Sequence, residues 1–170
     1  WQTERAGYDG LNRHFHHKLP ENELLDYYGY VAGERLNLSE QKTKEEKLSL
    51  AENFIAVAES GMDWTPRFGF EGASFLPVDL NANLYGAERD LCEWSKKFEP
   101  YKTEKFSRAL KLRKEKMEKY MAGDDGLLHD YNFVSEKKTE LYSSSMFMPF
   151  VVGLCDDKNA FNRLIDRLFK

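Results

Sequence analysis

Cysteine is scarce: the 170 residues contain only Cys92 and Cys155. Two are too few for a disulfide framework, and they show no metal-ligand spacing. Both lie among apolar side chains and read as small buried hydrophobes, in keeping with a reducing, cytoplasmic setting. Basic charge is not in excess either. Lys and Arg number 25 against 29 Asp and Glu, a net charge of −4, which excludes the basic surface of a nucleic-acid binder. No apolar run approaches the roughly 18–20 residues of a membrane span; the longest lies around Met146–Leu154. The opening Trp1-Gln2-Thr3-Glu4-Arg5 has no apolar stretch of the signal-peptide kind, and it lacks a leading methionine. A processed chain or a piece of a longer one is therefore expected. Low-complexity segments and repeats in residue identity are missing too.

What is present is a globular composition, 41% hydrophobic and 32% charged, enough to bury a core within one domain over residues 1–170. Apolar residues recur at helical spacing. After Pro20 they fall at Leu24, Leu25, Tyr28, Val31, Ala32 and Leu36. A second helix starts at a Thr43–Glu46 capping box and ends at Ser60-Gly61. A third follows Asp79 as N-cap, with a stripe of Leu80, Leu84, Ala87, Leu91, Trp94 and Phe98, and Pro100 closes it. Thr103 caps a fourth, which carries Phe106, Ala109, Leu110, Met117, Tyr120 and Met121, with Lys and Arg assigned to its solvated face. Met146–Leu154 and Ala160–Phe169 complete the set, the last after an Asp156-Asp157 cap. The pattern predicts an all-α array of antiparallel helical hairpins, with a short β-hairpin at most near 127–142.

One connection breaks the pattern. Between Ala58 and Asp79 there are three glycines, two prolines, Trp64 and three Phe residues, with no period of their own. Long connections without structure inside a compact domain are uncommon and often functional. A carboxylate among aromatics, such as Asp63, can be desolvated and kept protonated as an acid, while direct pairing with Arg67 would oppose that. Gly61 lets backbone approach a ligand. Aromatic faces, carboxylates and Arg together suit a sugar. The plainer alternative is a capping Asp and a buried Arg ion pair that hold the loop down.

Glu59-Ser60-Gly61-Met62-Asp63-Trp64-Thr65-Pro66-Arg67-Phe68 resembles the Glu-Ser-Gly-Trp-Asp segment of the trehalases and related glycosidases. Leu76-Pro77-Val78-Asp79-Leu80-Asn81 is similar to the Pro-Val-Asp-Leu-Asn stretch of the same family. Gly10-Leu11-Asn12-Arg13, Leu19-Pro20-Glu21 and His129-Asp130-Tyr131 resemble further family segments in the same order. The resemblance implies part of an (α/α)6 toroid and an inverting glycosidase acting on trehalose or a related α-glucoside. Two carboxyl groups roughly 6.5–9.5 Å apart would then flank the anomeric carbon. It assigns the general acid to Asp63 and sugar contacts to Ser60, Gly61 and Glu21, while among the aromatics Trp64 is the candidate platform for a sugar face, with Phe68 beside it. Arg67 is kept as a further candidate, with ordering of the loop or of a carboxylate as its favoured role.

Three departures stand out. Leu19 replaces the Arg of the family's Arg-Pro-Glu, Met62 replaces a Trp, and the catalytic base, a Glu, has no counterpart. The sequence therefore reads as a fragment with little activity alone, whose apolar helix faces await the rest of the polypeptide or a self-associating partner. The alternative is a non-catalytic helical sugar-binding or interaction module. No cofactor is expected. Nor is a metal: His14, His16 and His17 cluster without a carboxylate or Cys at ligand spacing. Glu59 reads as a capping or pairing residue within the loop.

Overall fold

The computed structural model describes residues 5–15, 19–36, 38, 42–62 and 65–169. Asp63, Trp64, His16 and His17 lie outside the described residues.

Helix α1 (Glu21–Tyr30) continues into a π-helical turn (Val31–Leu36) and packs on α2 (Lys44–Glu59). The expected capping box is present: Glu46 N–H donates to Thr43 Oγ1 at 3.2 Å, and Thr43 N–H to Glu46 Oε2 at 2.7 Å. Leu24, Tyr28, Val31, Ala32, Ala51 and Phe54 form a satellite core between these elements, with the Tyr28 and Phe54 rings stacked at 6.3 Å.

The main core lies further along the chain. Helix α3 (Val78–Phe98) runs antiparallel to α4 (Thr103–Met121), and α5 (Met148–Val151) and α6 (Lys158–Phe169) pack around them. Leu76, Val78, Ala82, Met117, Met121, Leu127, Met146 and Leu164 meet there. Asp157 caps α6 as expected, accepting from Asn159 N–H at 2.8 Å and Ala160 N–H at 3.2 Å. Leu11, on the N-terminal turn, reaches the same core. Gly7 permits this approach, because a Cβ there would sit 2.6 Å from Leu76 Cδ2.

Three expectations are corrected. The α3 stripe does not face the core: Trp94 is 63% and Phe98 70% exposed, and Ala87 and Leu91 are exposed as well. The buried face carries Asn81, Ala82, Gly86, Glu88, Cys92 and Ser95. Small and polar residues win there because α4 brings Arg113 into the interface. Its guanidinium donates to Glu88 at 2.8 and 2.9 Å and to Asn81 and Asn12 at 2.9 and 3.1 Å. Arg113 is thus buried, not part of the solvated face. Finally, the helix starts at Val78 with Pro77 in the cap position, so Asp79 is in its first turn and is not its N-cap.

The 58–79 connection also holds a strand. A three-stranded antiparallel sheet has the order β1 (Phe75–Leu76), β2 (Tyr131–Asn132), β3 (Lys137–Lys138), with Phe75 opposite Asn132 and Tyr131 opposite Lys138. The β2–β3 hairpin is the expected one. β1 spans too few residues to show a period of its own. Among the described residues no helix is long and apolar enough to cross a membrane.

Candidate functional site

Helix α2 ends at Ser60, whose Oγ donates to Val57 O at 2.6 Å and accepts from Met62 N–H at 3.1 Å. Gly61 takes φ +69° with open space where a Cβ would stand, so the turn selects glycine by backbone conformation alone. Thr65 Oγ1 donates to Met62 O at 2.9 Å. The two described residues that flank 63–64 are thereby tied to each other.

Arg67 fixes this turn from beneath. It is 3% exposed. Its Nε and Nη2 donate to Asp130 Oδ2 and Oδ1, both at 2.8 Å, and its Nη2 and Nη1 donate to Asp79 Oδ1 and Oδ2 at 2.6 and 2.9 Å. Nη1 also donates to Met62 Sδ at 3.2 Å. The guanidinium stacks on the Phe68 ring at 4.5 Å. Burial alone would lower the Arg67 pKa, but the hydrogen bonds and charges of Asp130 and Asp79 outweigh it and raise the value. Asp130 Oδ1 also accepts from Val78 N–H at 2.8 Å, which satisfies a free donor at the start of α3. One carboxylate from the β2 region therefore joins the loop, the sheet and the long helix.

Glu59 pairs outside the loop, not within it. Its carboxylate takes Arg5 and, at 2.7 Å, the Phe15 N–H. Burial raises the Glu59 pKa, and these two partners overcome that and leave it below the usual range. Phe15 has φ +79° and is fully buried, a conformation that costs a non-glycine residue about 1–3 kcal/mol. Glu59 helps to hold it there.

His14 is buried beside these groups. Burial lowers its pKa from the ordinary 6.5; Asp79 and Glu59 partly oppose this, and Arg67 and Arg5 add to it. The unfolded chain therefore takes up this proton before the folded one does. Stability is expected to fall as pH drops through about 6.5, the ordinary value. Melting temperature against pH reads this directly, and His14→Gln should flatten that acid limb. An unchanged limb would remove His14 as its source.

The structure thus gathers Ser60, Gly61, Met62 and Arg67 into one turn. It does not bring Glu21 there. Glu21 is exposed and pairs at 2.5 Å with Lys44, at the other end of α2 from Ser60; the 16 residues of that helix span about 24 Å. A cleft of about 470 Å³ borders the loop, lined by Val31, Leu36, Phe54, Pro66 and Phe70 among others. Its described lining is mostly apolar, with Tyr27 and Thr65 as polar members, and offers no carboxylate for sugar hydroxyls. No local pattern indicates that Asp130, 63 residues from Arg67, completes the turn; only the resemblance of His129-Asp130-Tyr131 to a family segment marks the place.

Antiparallel helical hairpins are the repeating unit of an (α/α)6 toroid, and the fold is similar to that of neutral trehalase Nth1 from Saccharomyces cerevisiae. The match has a TM-score of 0.64 at 22% identity and covers 98% of this chain and 35% of that one. The cytosolic neutral trehalase of S. cerevisiae is 33% identical over 89% of this chain and 24% of its own length. That of Kluyveromyces lactis is 31% identical over 94% of this chain and 22% of its own. The trehalase family profile matches residues 35–169. The chain belongs to the trehalase family. It spans about a quarter of the length of these curated relatives.

Proposed function

We propose that the protein containing this chain hydrolyses trehalose or a related α-glucoside with inversion, and that Asp63 is its general acid. In this reading the Asp63 carboxyl gives its proton to the departing glycosidic oxygen as the C–O bond breaks. A water adds its oxygen to the anomeric carbon from the opposite face and loses a proton to a carboxylate base. The family's base is a Glu without a counterpart in this sequence, so residues 1–170 are read as part of the catalytic (α/α)6 domain.

The observation that carries the proposal is the lock on either side of position 63. Met62 is held by Ser60, Thr65 and Arg67, and Arg67 is held by two carboxylates. General acid catalysis depends first on where the donor is held and then on its pKa. Arg67 is saturated by protein acceptors, which supports a positioning role over sugar contact. Ser60 and Gly61 would line the sugar site and Trp64 would cover a sugar face. The assignment of Glu21 to sugar hydroxyls rests on the resemblance alone. The cytosolic relatives favour a cytoplasmic location. The exposed Leu91, Trp94 and Phe98 are read as a face that the remaining helices of the domain, or a second copy, would cover.

The test is the anomeric form of the product. Full-length protein given trehalose should release one β-glucose for each α-glucose, read by NMR before mutarotation. Release of α-glucose alone would indicate retention. No hydrolysis across a panel of α-glucosides would favour the non-catalytic helical sugar-binding or interaction module, whereas hydrolysis of another α-glucoside but not of trehalose would fit Leu19 in place of the family's Arg.

A further inference from the structure

Arg67 has five N–H bonds to satisfy, and its acceptors can be counted. Asp130 takes two, one from Nε and one from Nη2, and Asp79 takes two, one from Nη2 and one from Nη1. One Nη1 hydrogen remains, in a side chain sealed from water. It goes to Met62 Sδ at 3.2 Å. The Ser145 hydroxyl approaches the same sulfur at 4.0 Å, and Ser60 and Thr65 hold the Met62 amide and carbonyl. The thioether is a weak acceptor made useful by a charged donor, and it belongs to the residue directly before position 63.

We propose that Met62 is a positioning residue. Its sulfur accepts the fifth hydrogen bond of Arg67, and so couples the buried Asp79–Arg67–Asp130 lock to the backbone that carries Asp63. This rests on the reading of Asp63 as the acid. What matters at position 62 is an acceptor, not merely an apolar side chain of the right length. The Trp found here in the family's pattern has an N–H donor and no acceptor, so it cannot play this part.

Acceptor and filler roles predict opposite rankings of two variants. Met62→Leu keeps shape and apolarity but leaves a buried charged donor unpaired. Met62→Gln is polar but presents a carbonyl oxygen at a similar reach. In the full-length protein acting on trehalose, Met62→Leu is expected to lower kcat by about ten- to a hundredfold with KM little changed, the scale of a displaced catalytic group. Met62→Gln should stay within about threefold of the parent. A fully active Leu variant with an impaired Gln variant would mark Met62 as filler and overturn the proposal; so would equal losses or equal activity in both. Limited proteolysis across residues 62–70 supplies a readout that does not depend on turnover, with the Leu variant expected to be cut faster and the Gln variant to match the parent. If Asp63→Asn leaves turnover intact, the reading of Asp63 fails by itself, and the proteolysis ranking still decides whether the sulfur holds the turn.

Discussion

Asp63→Asn is expected to reduce kcat on trehalose by about 10²–10⁴-fold, the range general acids contribute, with KM nearly unchanged. The amide is close in size to the acid and still donates hydrogen bonds, but it has no proton to give at neutral pH. Departure of a sugar alkoxide then goes unassisted. α-Glucosyl fluoride separates this role from others, since fluoride leaves without protonation. The variant should therefore recover most of its turnover on the fluoride relative to trehalose. Loss of activity on both substrates would instead point to a role in binding or folding, and full activity on trehalose would remove Asp63 from the mechanism.

The second large effect concerns stability. Arg67→Met should destabilise the protein by about 3–5 kcal/mol in chemical denaturation, because breaking a buried ion pair from one side leaves uncompensated charge. Asp130 is the more exposed to this loss in energetic terms, being only 2% accessible to water. Arg67→Lys should restore only part of the stability, as a single ammonium cannot present the fork that meets two carboxylates and a sulfur together. Replacing Asp130 with Asn on the Arg67→Met background should recover part of the stability, since the more deeply buried of the two stranded carboxylates is then neutral. A loss below about 1 kcal/mol, the range of exposed pairs, would mean that water reaches this group.

Much of this was legible in the sequence where the signal is local. The Thr43–Glu46 box, the end of α2 at Ser60-Gly61 and the Asp157 cap of α6 depend on neighbours three or four residues apart, and each formed as read. The 58–79 connection drew attention because it lacked any period, and the motif within it identified the family. Long-range features left no such trace. Glu88 and Arg113 lie 25 residues apart on different helices, so nothing in either helix indicates that a charged pair occupies the interface. The hydropathy of the second half of α3 then pointed to the wrong face: Leu91, Trp94 and Phe98 are outward, and the buried positions from Asn81 to Ser95 are small or polar side chains. Asp130 remained hidden for the same reason, since its partners Arg67 and Val78 are 63 and 52 residues away.

That separation has a consequence for the order of assembly during translation. The buried residues that α1 and α2 share, and the capping box of α2, all come from residues 24–54, so this satellite core is complete early in synthesis. The turn after α2 has to wait. Until residue 130 has been synthesised, Arg67 has one carboxylate instead of two and the first amide of α3 has no acceptor from the hairpin. The turn proposed to carry the acid is thus finished late, by a residue made long after it, and a stall or cleavage before that point would leave Arg67 and the start of α3 without one of their acceptors.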